Sequence, residues 1–253
     1  MKKQFILTCF SIFTVSVLML LAGCVVVSFG NNDTSREASV QAHGERGNYD
    51  IITGAFNKIK IEGNCEIRYN SGNSDTVTLL VQPNAREFIT VETVNEELIV
   101  KTTKKISYGM SKGPVLTVYA PALNQVTIEG AGVFKSNDKI TGDSLVFNIN
   151  GAGSGDTELD VNNLAVTISG AGKMDLTGKA QNSSIILSGA GNYNALSLQT
   201  SDTTVSMLGA GSVKVHSTGK LRINAEGAGS VEYKGSPILE LNTSGLISIR
   251  NVN

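Results

Sequence analysis

The chain has 253 residues, with 21 Lys and Arg against 22 Asp and Glu, a formal charge of −1. That balance excludes a nucleic-acid binder working through a basic surface, and it excludes a long acidic tail. Two His, three Cys and no Trp beside 27 Gly leave little material for a zinc site or a Ser–His or Cys–His catalytic apparatus, so no enzyme and no cofactor are expected.

Residues 1–23 read as a secretory signal: Lys2-Lys3, an apolar run from Phe5 to Leu20, then Leu21-Ala22-Gly23 directly before Cys24. This end resembles the bacterial lipobox, in which the Cys thiol receives a diacylglycerol and the chain is cut before it. An uncleaved membrane anchor is the competing reading, because Val25-Val26-Val27 continue the apolar run. Gly23-Cys24 stands where cleavage needs it, and two or three acyl chains anchor stably where one binds marginally. Val25 after the lipidated Cys, with no Asp there, points to the outer membrane of a bacterial envelope. Cys9 leaves with the signal, so Cys65 alone remains, a small buried filler between Ile61 and Ile67.

Residues 24–50 carry Asn31, Asn32, Asp33, Ser35, Gly44 and Gly47 with few apolar positions. They are expected to form a flexible tether, which makes His43 a poor catalytic candidate.

Residues 51–253 are expected to form one β-helix domain, ragged over 51–120 and regular over 121–250. In the ragged part Ile59-Lys60-Ile61-Glu62-Gly63-Asn64-Cys65 parallels Val126-Thr127-Ile128-Glu129-Gly130-Ala131-Gly132. The 67 residues from Gly63 to Gly130 would hold three longer coils or an antiparallel hairpin appended to the stack. Val77–Val81, Phe88–Val91, Leu98–Lys101 and Val115–Tyr119 read as strands, with a turn at Glu96-Glu97.

The regular part is marked by six copies of Gly-Ala-Gly. They span Gly130 to Gly132, Gly151 to Gly153, Gly170 to Gly172, Gly189 to Gly191, Gly209 to Gly211 and Gly227 to Gly229, with a degenerate copy at Gly245. The spacings are 21, 19, 19, 20, 18 and 18 residues. Four residues before the first Gly stand Val126, Phe147, Val166, Ile185, Val205 and Ile223. Two before it stand Ile128, Ile149, Ile168, Leu187, Met207 and Ala225. The interleaved positions are polar except Ile186 and Leu208. This period of two defines strands with one buried face. A unit this short is half a propeller blade but one turn of a parallel β-solenoid. Both glycines of each copy are expected to serve as structural corners, tolerating positive φ and leaving room for neighbouring backbones. The central Ala is expected to fit where a larger side chain would not.

Six places into each unit runs the column Lys135, Asp156, Asp175, Asn194, Lys214 and Glu232. Asp156 and Asp175, one rung apart, are the candidates for a shared divalent cation or a pair of catalytic carboxylates. A solvated outer face, with Lys135 beside Asp156, is the simpler reading. His216 is expected to point outward, and Tyr193 and Tyr233 to serve the core or its ends. The last coil, Leu246–Val252, exposes a sheet edge that Arg250 and Asn251 blunt or that serves homo-oligomerisation.

The repeated Ser-Gly-Ala-Gly or Glu-Gly-Ala-Gly, Gly235-Ser236-Pro237 after the last full copy and Tyr119-Ala120-Pro121-Ala122-Leu123 upstream resemble one family. It is the head-GIN domain family of auto-transporter adhesins, common among Bacteroidetes envelope lipoproteins. The resemblance covers roughly residues 51–250. It implies an all-β, right-handed parallel β-helix and an adhesin at the cell envelope, and it brings no catalytic residues. The expected partners are the membrane, through the lipid, and a glycan or an envelope or host protein. A polysaccharide lyase or hydrolase on the same scaffold is the alternative function.

Overall fold

The computed structural model describes residues 39–109 and 112–253, so the signal segment and Cys24 lie outside the described residues. From the N-terminus, β1 (Val40–Gln41) and β2 (Gly47–Ile51) lead into β3 (Lys58–Gly63), β4 (Glu66–Ser71) and β5 (Thr76–Val81). One helical turn, α1 (Pro83–Arg86), precedes the hairpin of β6 (Ile89–Val94) and β7 (Glu97–Thr102). The chain continues through β8 (Ile106–Ser107), β9 (Val115–Ala120), β10 (Gln125–Gly130) and β11 (Val133–Ser136). The remainder is built of long strands that bend at each corner. They are β12 (Ile140–Gly151), β13 (Ser154–Gly170), β14 (Lys173–Gly189), β15 (Asn192–Gly209), β16 (Ser212–Lys234) and β17 (Ile238–Asn251).

These strands stack as a parallel β-solenoid of about seven turns, and the register sets glycine on glycine. Gly63, Gly130, Gly151, Gly170, Gly189, Gly209, Gly227 and Gly245 follow one another in a single column. The columns read from the period of two are the interior. Val126, Ile128, Phe147, Ile149, Val166, Ile168, Ile185, Leu187, Val205 and Ile223 are all buried. Each fully buried side chain of this size contributes about 1.5–3 kcal/mol, and stacking is what lets both faces of a rung use it. Near the N-terminal rungs the spine is aromatic, with Tyr69 stacked on Phe134 at 6.4 Å and Phe134 edge-on to Phe147 at 5.8 Å. The Tyr69 hydroxyl donates to the Ala120 carbonyl, 3.0 Å away, so its polar end is satisfied inside the core.

The two glycines of each corner answer different demands, which corrects the common role expected of them. At the first, φ is positive, +121° at Gly189, and a Cβ there would stand 2.5 Å from the Gly170 carbonyl oxygen one rung below. At the second, Gly132, Gly153, Gly172, Gly191, Gly211 and Gly229, φ is not positive, so none of these turns the chain through the left-handed region. They are bare because the interior is already full. At Gly191, Gly211 and Gly229 the carbonyl oxygen of the rung below also stands 2.9, 2.7 and 2.6 Å from where a Cβ would be, the backbone room expected of them. A Cβ would meet the Ile61 Cγ2 at 2.6 Å from Gly132, the Ile128 Cγ2 at 2.5 Å from Gly153 and the Ile149 Cγ2 at 2.6 Å from Gly172. On Gly191 it would meet the Ile168 Cγ2 at 2.8 Å, and on Gly211 the Leu187 side chain. On Gly229 the nearest atom is backbone, the Gly211 carbonyl oxygen at 2.6 Å, with the Met207 Cε next at 2.8 Å.

The central Ala, expected to be small for lack of room, is instead exposed at residues 131, 152, 171, 190, 210 and 228. Its place on the last rung is taken by exposed Leu246, so the corner's outside accepts a larger side chain.

The ragged segment contains the appended antiparallel hairpin, one of its two readings, as β6 on β7, and it corrects one boundary. No coils separate Gly63 from Gly130, because β3 pairs directly with β10 and β4 with β11. The intervening chain instead crosses to the other side. There β7 lies parallel on β3 and β9 parallel on β4, forming one further rung. Antiparallel strands then close that end: β6 covers β7, β5 covers β9 and β2 covers β5. Phe56, Ala85 and Ile89 are buried against this end of the spine. The tether expected through residue 50 is also shorter, because β1 pairs with β8 and β2 with β5. His43 is held in place by its backbone N–H, which donates to Asn84 Oδ1 at 3.0 Å. Local hydrophobic periodicity carries no information about pairing across such distances, so the sequence could not order these rungs.

Candidate ligand-facing surface

With the interior columns committed to the spine, the outward columns carry whatever the protein shows to others. Around the Asp156–Asp175 pair the arrangement is that of an outer face. Asp156 is exposed and follows Lys135 in register, with Asp175 next. Burial opposes ionisation of Asp175, but hydrogen bonds from Lys173 Nζ (2.6 Å) and Asn194 Nδ2 (3.1 Å) outweigh it and hold its pKa below the usual carboxylate value. Its carboxylate is thus occupied by a cation and an amide. Among the described residues no three His, Cys, Asp or Glu side chains converge as a metal site needs. The column ends in an alternating ladder. Glu232 is bound by Lys214 (3.0 Å) on one side and by Arg250 on the other, and these hydrogen bonds lower its pKa.

His216 is half-buried, and desolvation with the nearby Lys234 charge lowers its pKa, which leaves the imidazole neutral near pH 7. Tyr193 is buried in the spine with its hydroxyl facing that of buried Ser183, and Tyr233 packs at the margin of the core. Neither tyrosine is displayed for stacking on a ligand. Cys65 is buried, and desolvation pushes its thiol up to about 12.

Two neighbouring grooves run along the face before the glycine corner. The first, about 320 Å³, is framed by Ser188, Ser206, Asn224, Glu226 and Asn242 around the two outward apolar residues, Ile186 and Leu208. Register places Ile186 beside Ser206 and Ser188 beside Leu208, so the apolar pair lies diagonally across adjacent rungs, 46% and 57% exposed. The second, about 350 Å³, is lined by Asn163, Asn182, Ser184, Asp202, Thr204, Lys220 and Arg222, among others. Asn182 Nδ2 donates to Asn163 Oδ1 at 3.1 Å, and Asp202 Oδ1 accepts the Lys220 backbone N–H at 2.9 Å. Successive rungs therefore hold amide, amide and carboxylate in one line, fixed by the sheet rather than by loops. Ile186 and Leu208 were visible in the sequence as breaks in polar columns. The Asn163–Asn182–Asp202 line was not, because it lies beyond the aligned core positions. At the other end of the face Lys60 sits between Glu62 (2.8 Å) and Glu129 (3.3 Å), and its hydrogen bond to Glu62 raises its pKa.

The fold and this surface define a class: a parallel β-solenoid whose interior is structural and whose chemistry is spread along outward ladders. The family described as "Putative auto-transporter adhesin, head GIN domain" matches residues 55–237, and the chain belongs to it. The chain resembles the crystal structure of a "putative adhesin" from Bacteroides fragilis NCTC 9343, at 25% identity and a TM-score of 0.79, over 85% of this chain and 100% of that one. A "putative adhesin" from Parabacteroides distasonis ATCC 8503 shares the fold at 22% identity and a TM-score of 0.65, over 85% and 100%. A "Putative lipid binding protein" from the same strain does so at 16% and 0.68, again over 85% and 100%. No curated protein matches the sequence. Among the described residues no helix is long and apolar enough to cross a membrane.

Proposed function

We propose that this chain is a non-enzymatic adhesin of the bacterial envelope, anchored in the outer membrane by a lipid on Cys24 and binding a glycan through its outward face. One observation carries the reading: the Asn163–Asn182–Asp202 line and the Ile186–Leu208 patch lie in adjoining grooves on one rigid sheet. Amides, hydroxyls and a carboxylate at fixed spacing answer sugar hydroxyls. A small apolar patch answers the C–H face of a sugar ring. Affinity on such a surface comes from many weak contacts, because exposed aromatic anchors are scarce. The family's adhesin label supports the same reading.

The test is binding of the full chain in detergent micelles to immobilised cell-wall and capsular glycans and to host matrix proteins. Asn182→Ala with Thr204→Ala is expected to weaken glycan binding about tenfold, the loss of one to two net hydrogen bonds. Retention on matrix proteins alone would assign a protein ligand, and no retention on either would overturn adhesion. Anchoring is tested by incorporation of labelled palmitate, expected to vanish in Cys24→Ala. Protease shaving of whole cells then separates surface display from periplasmic residence.

A further inference from the structure

The two ends of the solenoid are built differently. The N-terminal end is closed by its own antiparallel strands, whereas among the described residues β17 pairs on one side only, with β16. Its other edge offers the backbone groups of a 14-residue strand, together with the open cross-section of the spine. Leu239 and Leu241, which continue the buried columns of Leu221 and Ile223, are 39% and 52% exposed. Ile238 and Leu246 beside them are 71% and 83% exposed. An unpaired apolar edge of this length is a template for another strand.

The sequence of β17 identifies the strand that fits. Gly245 is its corner, and three pairs of positions correspond about that residue, whereas Ser244, Thr243 and Leu239 face Leu246, Ile247 and Asn251. Five places before it stands Glu240 and five after it stands Arg250. Four before is Leu241 and four after is Ile249. On the outward positions between them lie Asn242 and Ser248. We infer that two copies of this chain join end to end, β17 against β17 antiparallel, about a two-fold axis through the Gly245 corners. This register places Glu240 opposite Arg250 of the second copy, Leu241 opposite Ile249 and Asn242 opposite Ser248. Parity is preserved, so inward residues meet inward residues and the two spines become one.

The charges agree with this partner. On one arm the column rises Lys214, Glu232, Arg250, held by ion pairs, and ends on a cation. On the other, Arg222 holds Glu240 at 2.7 Å and the column ends on an anion. Apposition across the two-fold gives Lys214, Glu232, Arg250, then Glu240 and Arg222 of the second copy, alternating without a break. The same register repeated by symmetry makes the contact isologous and closed, so it yields a dimer rather than a filament.

Cross-linking of the full chain in its membrane tests the register. Directly opposed residues in an antiparallel pair have Cα atoms about 4.5–5.5 Å apart, inside the range a disulfide spans. Asn242→Cys combined with Ser248→Cys is expected to give a covalent dimer under mild oxidation, and neither single variant is. Peptide mass assigns the link, since Cys65 is common to all variants. A bridge joining positions 242 and 248 supports the inference. A bridge formed as readily by either single variant would move the axis and overturn it, as would a monomeric mass for the unmodified chain in sedimentation. Charge reversal provides a second arm. Glu240→Arg and Arg250→Glu are each expected to weaken association about tenfold and, combined in one chain, to restore it. Their contacts within the chain stay broken in the combination, so a purely structural role predicts a further loss instead of rescue. Failure here would leave glycan binding by the side face untouched.

Discussion

Replacing Gly189 by Ala puts a methyl group where the rungs come closest. Two costs add. The backbone at φ +121° lies outside the regions an L-residue adopts readily, worth about 1–2 kcal/mol. The new Cβ would also stand 2.5 Å from the Gly170 carbonyl oxygen, which accepts the Ala190 N–H at 2.9 Å. Neither backbone atom can rotate away, so the rungs must separate locally, at an overpacking cost of about 1–3 kcal/mol. The expected loss is therefore about 2–5 kcal/mol. Gly172→Ala avoids the positive φ but meets Ile149 inside the spine, for about 1–3 kcal/mol. Ala171→Ser, one residue away and exposed, is expected to change stability by less than about 0.5 kcal/mol. Urea unfolding followed by circular dichroism ranks the three, and hydrogen exchange localises the loss to the rungs of residues 170 and 189. If Gly189→Ala and Ala171→Ser unfold at the same urea concentration, corner geometry does not limit stacking and the account of the repeat is wrong.

Tyr193→Phe is expected to change stability by no more than about 1 kcal/mol, because its buried hydroxyl faces the buried Ser183 hydroxyl without a hydrogen bond of good geometry; a clearly larger loss in the same urea assay would show that the two are bonded. Cys65, with its thiol pushed up to about 12 by burial, should resist iodoacetamide at pH 8 until the protein is unfolded, and labelling at the rate of a free thiol would contradict its place in the spine. Acid is expected to loosen the last rung first. Glu232 and Glu240 have pKa values lowered by their hydrogen bonds to Lys214 and Arg250, and to Arg222 and Lys220. A depressed folded-state pKa contributes stability above the unfolded value and loses it as pH falls through the folded value, so the effect appears below about pH 4. Hydrogen exchange of β17 at pH 3 and pH 7, corrected for intrinsic rates, should show lost protection relative to β13, and equal protection would refute it.

The regular half of the fold was legible because its determinants are local and repeated. Alternation told inside from outside, and glycine spacing gave the length of a turn, so the register from Gly130 to Gly245 followed by counting. The N-terminal half was not legible in the same way. The likeness of Ile59–Cys65 to Val126–Gly132 was visible, and their adjacency was its true meaning. Nothing in the intervening residues said that they would pass to the far side and build a rung of β7 and β9. That choice depends on pairing energies between segments distant in sequence. The corner looks more uniform in the sequence than it is in the fold. Gly151 and Gly153 look alike in the sequence, yet one is bare for its backbone angle and the other for the Ile128 methyl that fills its place. The role given to the central Ala failed for a related reason: a small residue repeated in every copy looks the same whether space or exposure keeps it small. Asp156 and Asp175 share a column, as counting implied, but Lys173 and Asn194 occupy the Asp175 carboxylate.

The division between inside and outside also says where binding specificity can reside. An inward position is fixed by the spine: Gly155 is bare because the Met174 thioether fills the space its side chain would take. An outward position answers to almost nothing in the fold, so its side chain can change at little cost to stability. The rungs then act as a rigid rack on which Asn163, Asn182 and Asp202 hang in line without any loop to order them, and little conformational entropy is lost when a ligand aligns along them. Ile186 and Leu208 are informative on these grounds. They occupy outward positions where polar residues stand on the other regular rungs and where the core asks nothing of them, and the proposed contact with a sugar ring gives their hydrophobicity a use.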